Sequence, residues 1–228
     1  MLRLYKWTVR CLLSVLSFCV PQIGQAQVSA AIVSTHSATL EIPVKNWKAL
    51  RDAQVVKQDL DFSCGAASLA TLLNHFYGQT LTEEAILKAM DKGEGRASFE
   101  DMAKALPQFG FRAQGFAASW EQLTRLKMPV IVYLKHRKND HFSVLRGINK
   151  DTVLLADPSM GNRTYSRQQF SAMWQTRHDI QNADLSGKFL AVLPLHADIK
   201  ATDNFFTKTP VRQATVAMQS LATRWQPN

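Results

Sequence analysis

Few residues in this chain could do covalent chemistry, and the first is a thiol. Cys64 lies in DFSCGAASLA, residues 61–70, between a turn-like run and a helical pattern. In the first turn of a helix a thiol meets unpaired backbone N–H groups and the positive end of the helix dipole. A neighbouring imidazolium adds to both, and together they bring a thiol pKa from about 8.5 to roughly 3.5–7.5. A thiolate so placed is a nucleophile, and a nucleophile needs a base, a group that orients the base, and donors for the oxyanion. His141 opens one alternating run and Asp157 closes the next. A tight turn near Asn149 makes these runs antiparallel neighbours, in which residues whose numbers sum to about 298 face each other. That register sets the Asp157 carboxylate opposite the His141 imidazole, where it can hold the ring tautomer and steady the cation. Gln58, in the loop before Cys64, can curl its side-chain amide back toward the helix start and join the Cys64 N–H as an oxyanion donor.

The elements that must position these groups follow from periodicity. Ser63 is placed to cap a helix over Cys64 to Phe76, with Ala66, Leu69, Ala70, Leu73 and Phe76 on one face and Gly78 at its end. Thr82 caps a second helix to about Asp91. Ser98 with Asp101 forms a capping box for a third, Phe99 to Leu106, closed by Pro107 and Gly110. Strands then dominate: Phe111 to Phe116; after a helix over Trp120 to Leu126, the apolar run from Pro129 to Leu134; His141 to Arg146; and Thr152 to Ala156. Residues 157–162 form a turn, Ser166 caps a helix to about Trp174, and Lys188 to Leu193 is the last strand. The expected architecture is α+β, with a helical half and an antiparallel meander in segregated layers. Upstream, Val28 to His36 reads as a loose arm and Ala38 to Val44 as an edge strand containing Pro43. Downstream of His196 the chain is polar, save for a helically spaced stretch over Val211 to Trp225.

The chain opens with Arg3, Lys6 and Arg10, an apolar run from Cys11 to Val20, and Gly24-Gln25-Ala26. This order predicts a cleavable export signal over residues 1–26, because about ten apolar residues fall well short of a bilayer span, and hence an export compartment, which the resemblance given below implies is the periplasm. Cleavage would remove Cys11 and Cys19 and leave Cys64 as the one thiol, so no internal disulfide is expected. It would also take three of the 27 Lys and Arg and none of the 18 acids, leaving a net charge of +6. The remaining charges are scattered. The cluster at residues 135–138 reads as a solvated hairpin tip, so no nucleic-acid partner is expected and membrane-surface contact is at most weak. Other residues have blander readings. His75 packs near its helix end, Asp140 is a solvated acid, His136 serves as the base only if the strand register slips, and Phe142, Tyr133 and Trp120 are core. Zinc from Cys64, His75, His141 and Asp157 lacks the usual ligand spacing, and no metal or cofactor is expected.

Gln58, Ser63-Cys64-Gly65, His141-Phe142 and Asp157-Pro158, in this order and at these intervals, resemble the C39 peptidases, papain-like cysteine peptidases known as processing domains of bacteriocin exporters. The resemblance spans about Gln54 to Pro194. It implies the papain-like fold, Cys64 as nucleophile, His141 as general base and acid, Asp157 as orienter and Gln58 in the oxyanion hole. It also implies cleavage after Gly-Gly in a peptide or protein substrate, through subsites too narrow for anything but glycine. Ser63 departs from the Asp often found before the cysteine. No G-x-x-x-x-G-K-[ST] motif is present, so the form looks like a stand-alone exported member of the kind that accompanies secretion and assembly of bacterial functional amyloid. The expected division is a signal over 1–26, an extension over 27–53, the peptidase domain over 54–195 and a tail over 196–228. A papain-like amidase or transferase and a non-catalytic leader-binding module are the alternatives on the same fold.

Overall fold

The computed structural model describes residues 29–44, 46–93, 95–136 and 139–212. The expected export signal and the Val211 to Trp225 stretch beyond Arg212 lie outside them. The chain divides into two units at Lys45.

The smaller unit contains a hairpin, β1 (Ser29–Ser34) and β2 (Thr39–Val44), paired antiparallel from Ser29↔Val44 to Ser34↔Thr39. The segment expected to be a loose arm is therefore a strand. Its partner gives its backbone hydrogen bonds a destination that periodicity alone does not reveal.

In the larger unit the elements run α1 (Trp47–Asp52), α2 (Cys64–Tyr77), α3 (Glu83–Met90), α4 (Phe99–Ala105), a 3₁₀ turn (Leu106–Phe109), β3 (Phe111–Ala118), α5 (Trp120–Thr124), β4 (Val130–His136), β5 (Asn139–Ile148), β6 (Thr152–Asp157), β7 (Gly161–Ser166), α6 (Arg167–Trp174) and β8 (Gly187–Pro194). Caps explain most helix boundaries. Thr82 accepts from the Ala85 N–H, and Ser98, Ser119 and Ser166 form capping boxes with Asp101, Gln122 and Gln169. α2 stops at Gly78, whose left-handed φ of 68° costs glycine nothing.

The six strands are ordered β3-β8-β4-β5-β6-β7, all pairs antiparallel. Only β4 to β7 form a meander. The last strand, β8, enters between β3 and β4, a long-range insertion that sequence order does not announce. β7, a polar edge strand (GNRTYS), was expected to be part of a turn and connection; its ladder with β6 and the docking of α1 make it a strand.

The apolar run in β4 is continuous because helices cover the sheet on both faces. Ile131, Phe142, Val144, Ala156, Leu190 and Val192 share a buried cluster with α2, α3 and α4. Val130, Val132, Leu134, Leu145, Val153, Leu155 and Phe189 pack with Trp120, Leu123, Phe170 and Trp174 of α5 and α6. α2 lies almost entirely within the protein. Leu69, Leu72 and Leu73 are fully buried, each worth about 1.5–3 kcal/mol of hydrophobic transfer.

Residues after β8 also pack. Phe205 is buried beneath the Arg146 guanidinium, which sits 4.6 Å from its ring centroid, and Thr207 bridges to Gly147 in parallel. Thr202 donates from its backbone N–H to Phe76 O and from its hydroxyl to His75 O, satisfying carbonyls at the end of α2.

Gly187 is a close approach. A Cβ there would lie 2.1–2.3 Å from atoms of the Trp174 ring, which is fully buried and donates from Nε1 to Lys188 O. Gly187→Ala is expected to cost about 3 kcal/mol, at the upper end for overpacking, and to lower Tm by about 10 °C in a thermal melt. An unchanged Tm would mean the indole can move aside.

Candidate active site

Cys64 is the first residue of α2, as the sequence predicts, but Ser63 does not cap the helix. Its hydroxyl turns backward instead, donating to Leu60 O at 2.7 Å and accepting from Leu60 N–H at 3.2 Å. The uncapped helix start has a chemical consequence. The first-turn N–H groups stay available to an anion, and the Gly65 N–H is one of those that stabilise the Cys64 thiolate. Gly65 is needed for packing as well, since a Cβ there would stand 2.5 Å from Met102 Cε and 3.5 Å from the Phe142 ring.

His141 lies on β5 and Asp157 ends β6, with Nε2 of the imidazole 2.8 Å from Oδ2 of the carboxylate. The pairing differs from the expected register. Val144 faces Ala156 and Leu145 faces Leu155, which sets Ser143, not His141, across from Asp157. The turn itself sets Gly147 across from Leu154, three from the expected sum, and the bulge between Leu145 and Gly147 takes one residue back. The displacement is two residues, an even number. His141 and Asp157 therefore keep the same face of the sheet as diagonal neighbours, a separation that an imidazole spans.

Burial alone would raise the Cys64 pKa. The hydrogen bond and charge of His141 and the N–H groups of Phe142 and Gly65 outweigh it and hold the thiol below its ordinary value. Burial alone would lower the His141 pKa, yet the hydrogen bonds to Asp157 and Cys64, with their charges, push it up to about 9. Asp157 is 1% exposed, and its burial is likewise outweighed, by His141 and by the N–H groups of Met160 and Ser159, so it stays ionised below the usual carboxylate range. All three shifts favour a thiolate–imidazolium pair steadied by a carboxylate. Such a pair can attack a carbonyl carbon and then hand a proton to a leaving amine.

Gln58 is held at both ends of its amide. Nε2 donates to Leu60 O at 2.9 Å and Oε1 accepts from the Ser159 hydroxyl at 2.7 Å, leaving the second Nε2 hydrogen for a ligand. Its backbone N–H donates to Pro158 O at 3.1 Å. Ser159 was not among the residues expected from the sequence. It stands 101 positions from Gln58, and no local pattern links them.

The remaining candidates fall elsewhere. His75 stacks on Phe205 with centroids 6.1 Å apart. Asp140 is exposed but belongs to β5 and not to a loop, and it accepts from the Tyr133 hydroxyl at 2.6 Å. Phe142 and Trp120 are core. His136, at the end of β4, faces Asn139. Among the described residues no group of three or more His, Cys, Asp or Glu side chains is arranged to hold a metal ion, and no helix is long and apolar enough to cross a membrane.

An α+β fold that brings a thiol at a helix start against a histidine on the sheet defines a papain-like cysteine peptidase. The family model for the peptidase C39 family matches residues 52–178. The probable functional amyloid protease FapD of Pseudomonas fluorescens is 36% identical over 158 residues, 66% of this chain and 69% of that protein. The protein of the same description from Pseudomonas aeruginosa is 34% identical, over 62% of this chain and 71% of its own. Among solved structures, the peptidase domain of the Streptococcus transporter ComA matches with a TM-score of 0.51 at 20% identity, covering 61% of this chain and 97% of that domain. A double glycine motif protease from an AMS/PCAT transporter, solved with its leader peptide, matches at 0.50 and 24%, over 61% of this chain and 90% of that one. The chain belongs to the peptidase C39 family and is a cysteine peptidase.

Proposed function

We propose that this peptidase acts in the periplasm on exported proteins, cleaves after Gly-Gly, and serves the secretion or assembly of functional amyloid fibres. Cys64 is the nucleophile, His141 the general base and acid, Asp157 the orienter of His141, and Gln58 an oxyanion donor beside the Cys64 N–H. The observation that carries the reading is the Cys64–His141–Asp157 linkage, with its three pKa shifts toward a charged pair, in a chain 36% identical to a probable functional amyloid protease. Specificity for Gly-Gly is supported by the leader-bound double glycine protease of the same fold. Export is supported by the basic, apolar and small-residue order of residues 1–26.

The test incubates the protein and a Cys64→Ala variant with exported proteins that carry Gly-Gly segments and reads the products by mass spectrometry. New termini directly after Gly-Gly, made by the unaltered protein alone, are the expected result. Intact substrates throughout, or the same products from both proteins, would overturn the specificity or the nucleophile respectively.

A further inference from the structure

The turn after β6 carries more than the orienting carboxylate. Asp157 uses its two oxygens separately: Oδ2 takes the His141 ring, while Oδ1 accepts from the N–H groups of Ser159 and Met160, each at 2.9 Å. This closes the turn and fixes the Ser159 backbone. From there the Ser159 hydroxyl reaches Gln58 Oε1 at 2.7 Å, the Ser159 carbonyl accepts from Lys57 Nζ at 2.6 Å, and the Pro158 carbonyl accepts from the Gln58 N–H at 3.1 Å. Three hydrogen bonds thus join the loop that precedes the thiol to the turn that follows the carboxylate.

The direction of each bond follows from chemistry. Leu60 O can only accept, so the end of the Gln58 amide that faces it is Nε2. The opposite end is then Oε1, and the Ser159 hydroxyl must donate to it. Leu60 O thus selects which way the amide faces, while the Ser159 hydroxyl anchors its far end and holds the N–H end in place; a half-turn would set the amide oxygen against Leu60 O. A carbonyl oxygen presented to a developing oxyanion would repel the charge that an amide N–H stabilises.

We propose that Ser159 is a positioning residue for the reaction: its hydroxyl anchors the Gln58 amide, whose orientation Leu60 O selects, in the place from which its N–H serves the oxyanion, so that one turn sets both the imidazole and the oxyanion donor. This rests on the assignment of Gln58 to the oxyanion hole made above. It does not depend on the Gly-Gly specificity or on the periplasmic location.

The experiment separates acyl transfer from thiolate formation. Acylation of Cys64 is followed by the p-nitrophenol burst from the p-nitrophenyl ester of acetyl-Gly-Gly, and alkylation by iodoacetamide is followed in parallel. Acylation develops an oxyanion, whereas alkylation needs only the thiolate. Ser159→Ala is expected to slow acylation roughly three- to tenfold, the worth of one hydrogen bond, with alkylation and its pH profile unchanged. Ser159→Thr, which keeps the hydroxyl, should restore the rate. In a Gln58→Ala background, Ser159→Ala should add nothing. Ser159 is exposed, so the alanine variant is expected to fold.

Three results would overturn the proposal while leaving the oxyanion assignment in place. They are acylation unaffected by Ser159→Ala, alkylation slowed as much as acylation, and the full Ser159→Ala effect persisting without the Gln58 side chain. Gln58→Ala acylating at the unaltered rate would remove the oxyanion assignment and the proposal with it. Cleavage of a Gly-Gly peptide, measured alongside, reports on specificity independently.

Discussion

Cys64→Ser is expected to lower kcat/KM for peptide cleavage by at least roughly 10³-fold, because a hydroxyl in the same place cannot be pre-ionised by an imidazole as a thiol can. The same pair dictates the pH dependence of the unaltered enzyme. The reactive form is thiolate with imidazolium, so activity rises as Cys64 loses its proton and falls as His141 loses its own. The first step lies below the ordinary thiol range, near 8.5, because His141 and the N–H groups of Phe142 and Gly65 favour the anion. The second lies at about 9. A bell with its alkaline limb near 9 and its acid limb below the ordinary thiol range is the expected profile. Alkylation of Cys64 by iodoacetamide, located by mass spectrometry, checks the acid limb directly. In His141→Ala the thiol should titrate above its position in the unaltered protein, since burial, which raises it, is then opposed only by backbone donors. If Cys64 titrates at the same pH in both proteins, the imidazole is not its partner.

The candidate site was legible in the sequence because a thiol at a helix start and polar side chains at strand ends each carry a local signature. Cys64 opens an apolar-periodic helix, and His141 and Asp157 mark the ends of two strands. The shared face of His141 and Asp157, by contrast, depends on a bulge that sequence reading did not foresee. Next to the turn the pairing sum is 301, three above the expected 298, and the bulge takes one back, so His141 and Asp157 share a face that the turn register alone would have denied them. What sequence reasoning missed depends on partners far along the chain. Ser63 was read as a cap from its position alone. The carbonyl and N–H of Leu60, brought close by the preceding turn, compete for the hydroxyl and win. β8 closes the sheet between β3 and β4, and β7, polar throughout, is a strand only because β6 offers it a ladder. Phe205 lies in a stretch with no periodicity, and its burial comes from Arg146 and His75 on separate elements.

These long-range contacts converge on the site. α1 docks on β7, where Gly161, at φ 80°, brings its backbone against Arg51 and Asp52, with Arg51 O 2.6 Å from where a Cβ would stand. Arg146 donates to Gln54 Oε1 at 2.7 Å and to Asn162 Oδ1 at 2.9 Å, tying the start of the Gln58 loop to β5 and β7. The loop before the thiol is thus anchored to the same strands that carry His141 and the Asp157 turn. Such support keeps reacting groups within the narrow tolerance that catalysis requires.

Asp157 has the largest expected effect after the thiol itself, and the reason is that its two oxygens serve different partners. Asp157→Ala is expected to lower kcat/KM by about 10²-fold. That is less than the ~10⁴ seen where an acid selects the tautomer of a neutral histidine, because here the thiolate also holds the imidazolium. Asp157→Asn should do little better. An amide has one acceptor oxygen, so it can serve either the His141 Nε2–H or the N–H groups of Ser159 and Met160, but not both. In either variant the His141 pKa falls from about 9 toward 6.5, and the alkaline limb of the pH profile moves down with it. Stability follows the same groups. The Asp157 pKa is lowered by folding, so its contribution is present above about 3.9 and lost as pH falls through the lowered value. The His141 pKa is raised, so its contribution is complete below about 6.5 and lost as pH rises through about 9. The cost of Asp157→Ala, about 1–3 kcal/mol, should therefore be largest near pH 5 to 6 and shrink toward pH 9.5 in urea denaturation. A variant that keeps its alkaline limb at about 9, or loses equal stability at both pH values, would show that the carboxylate does not hold the imidazolium.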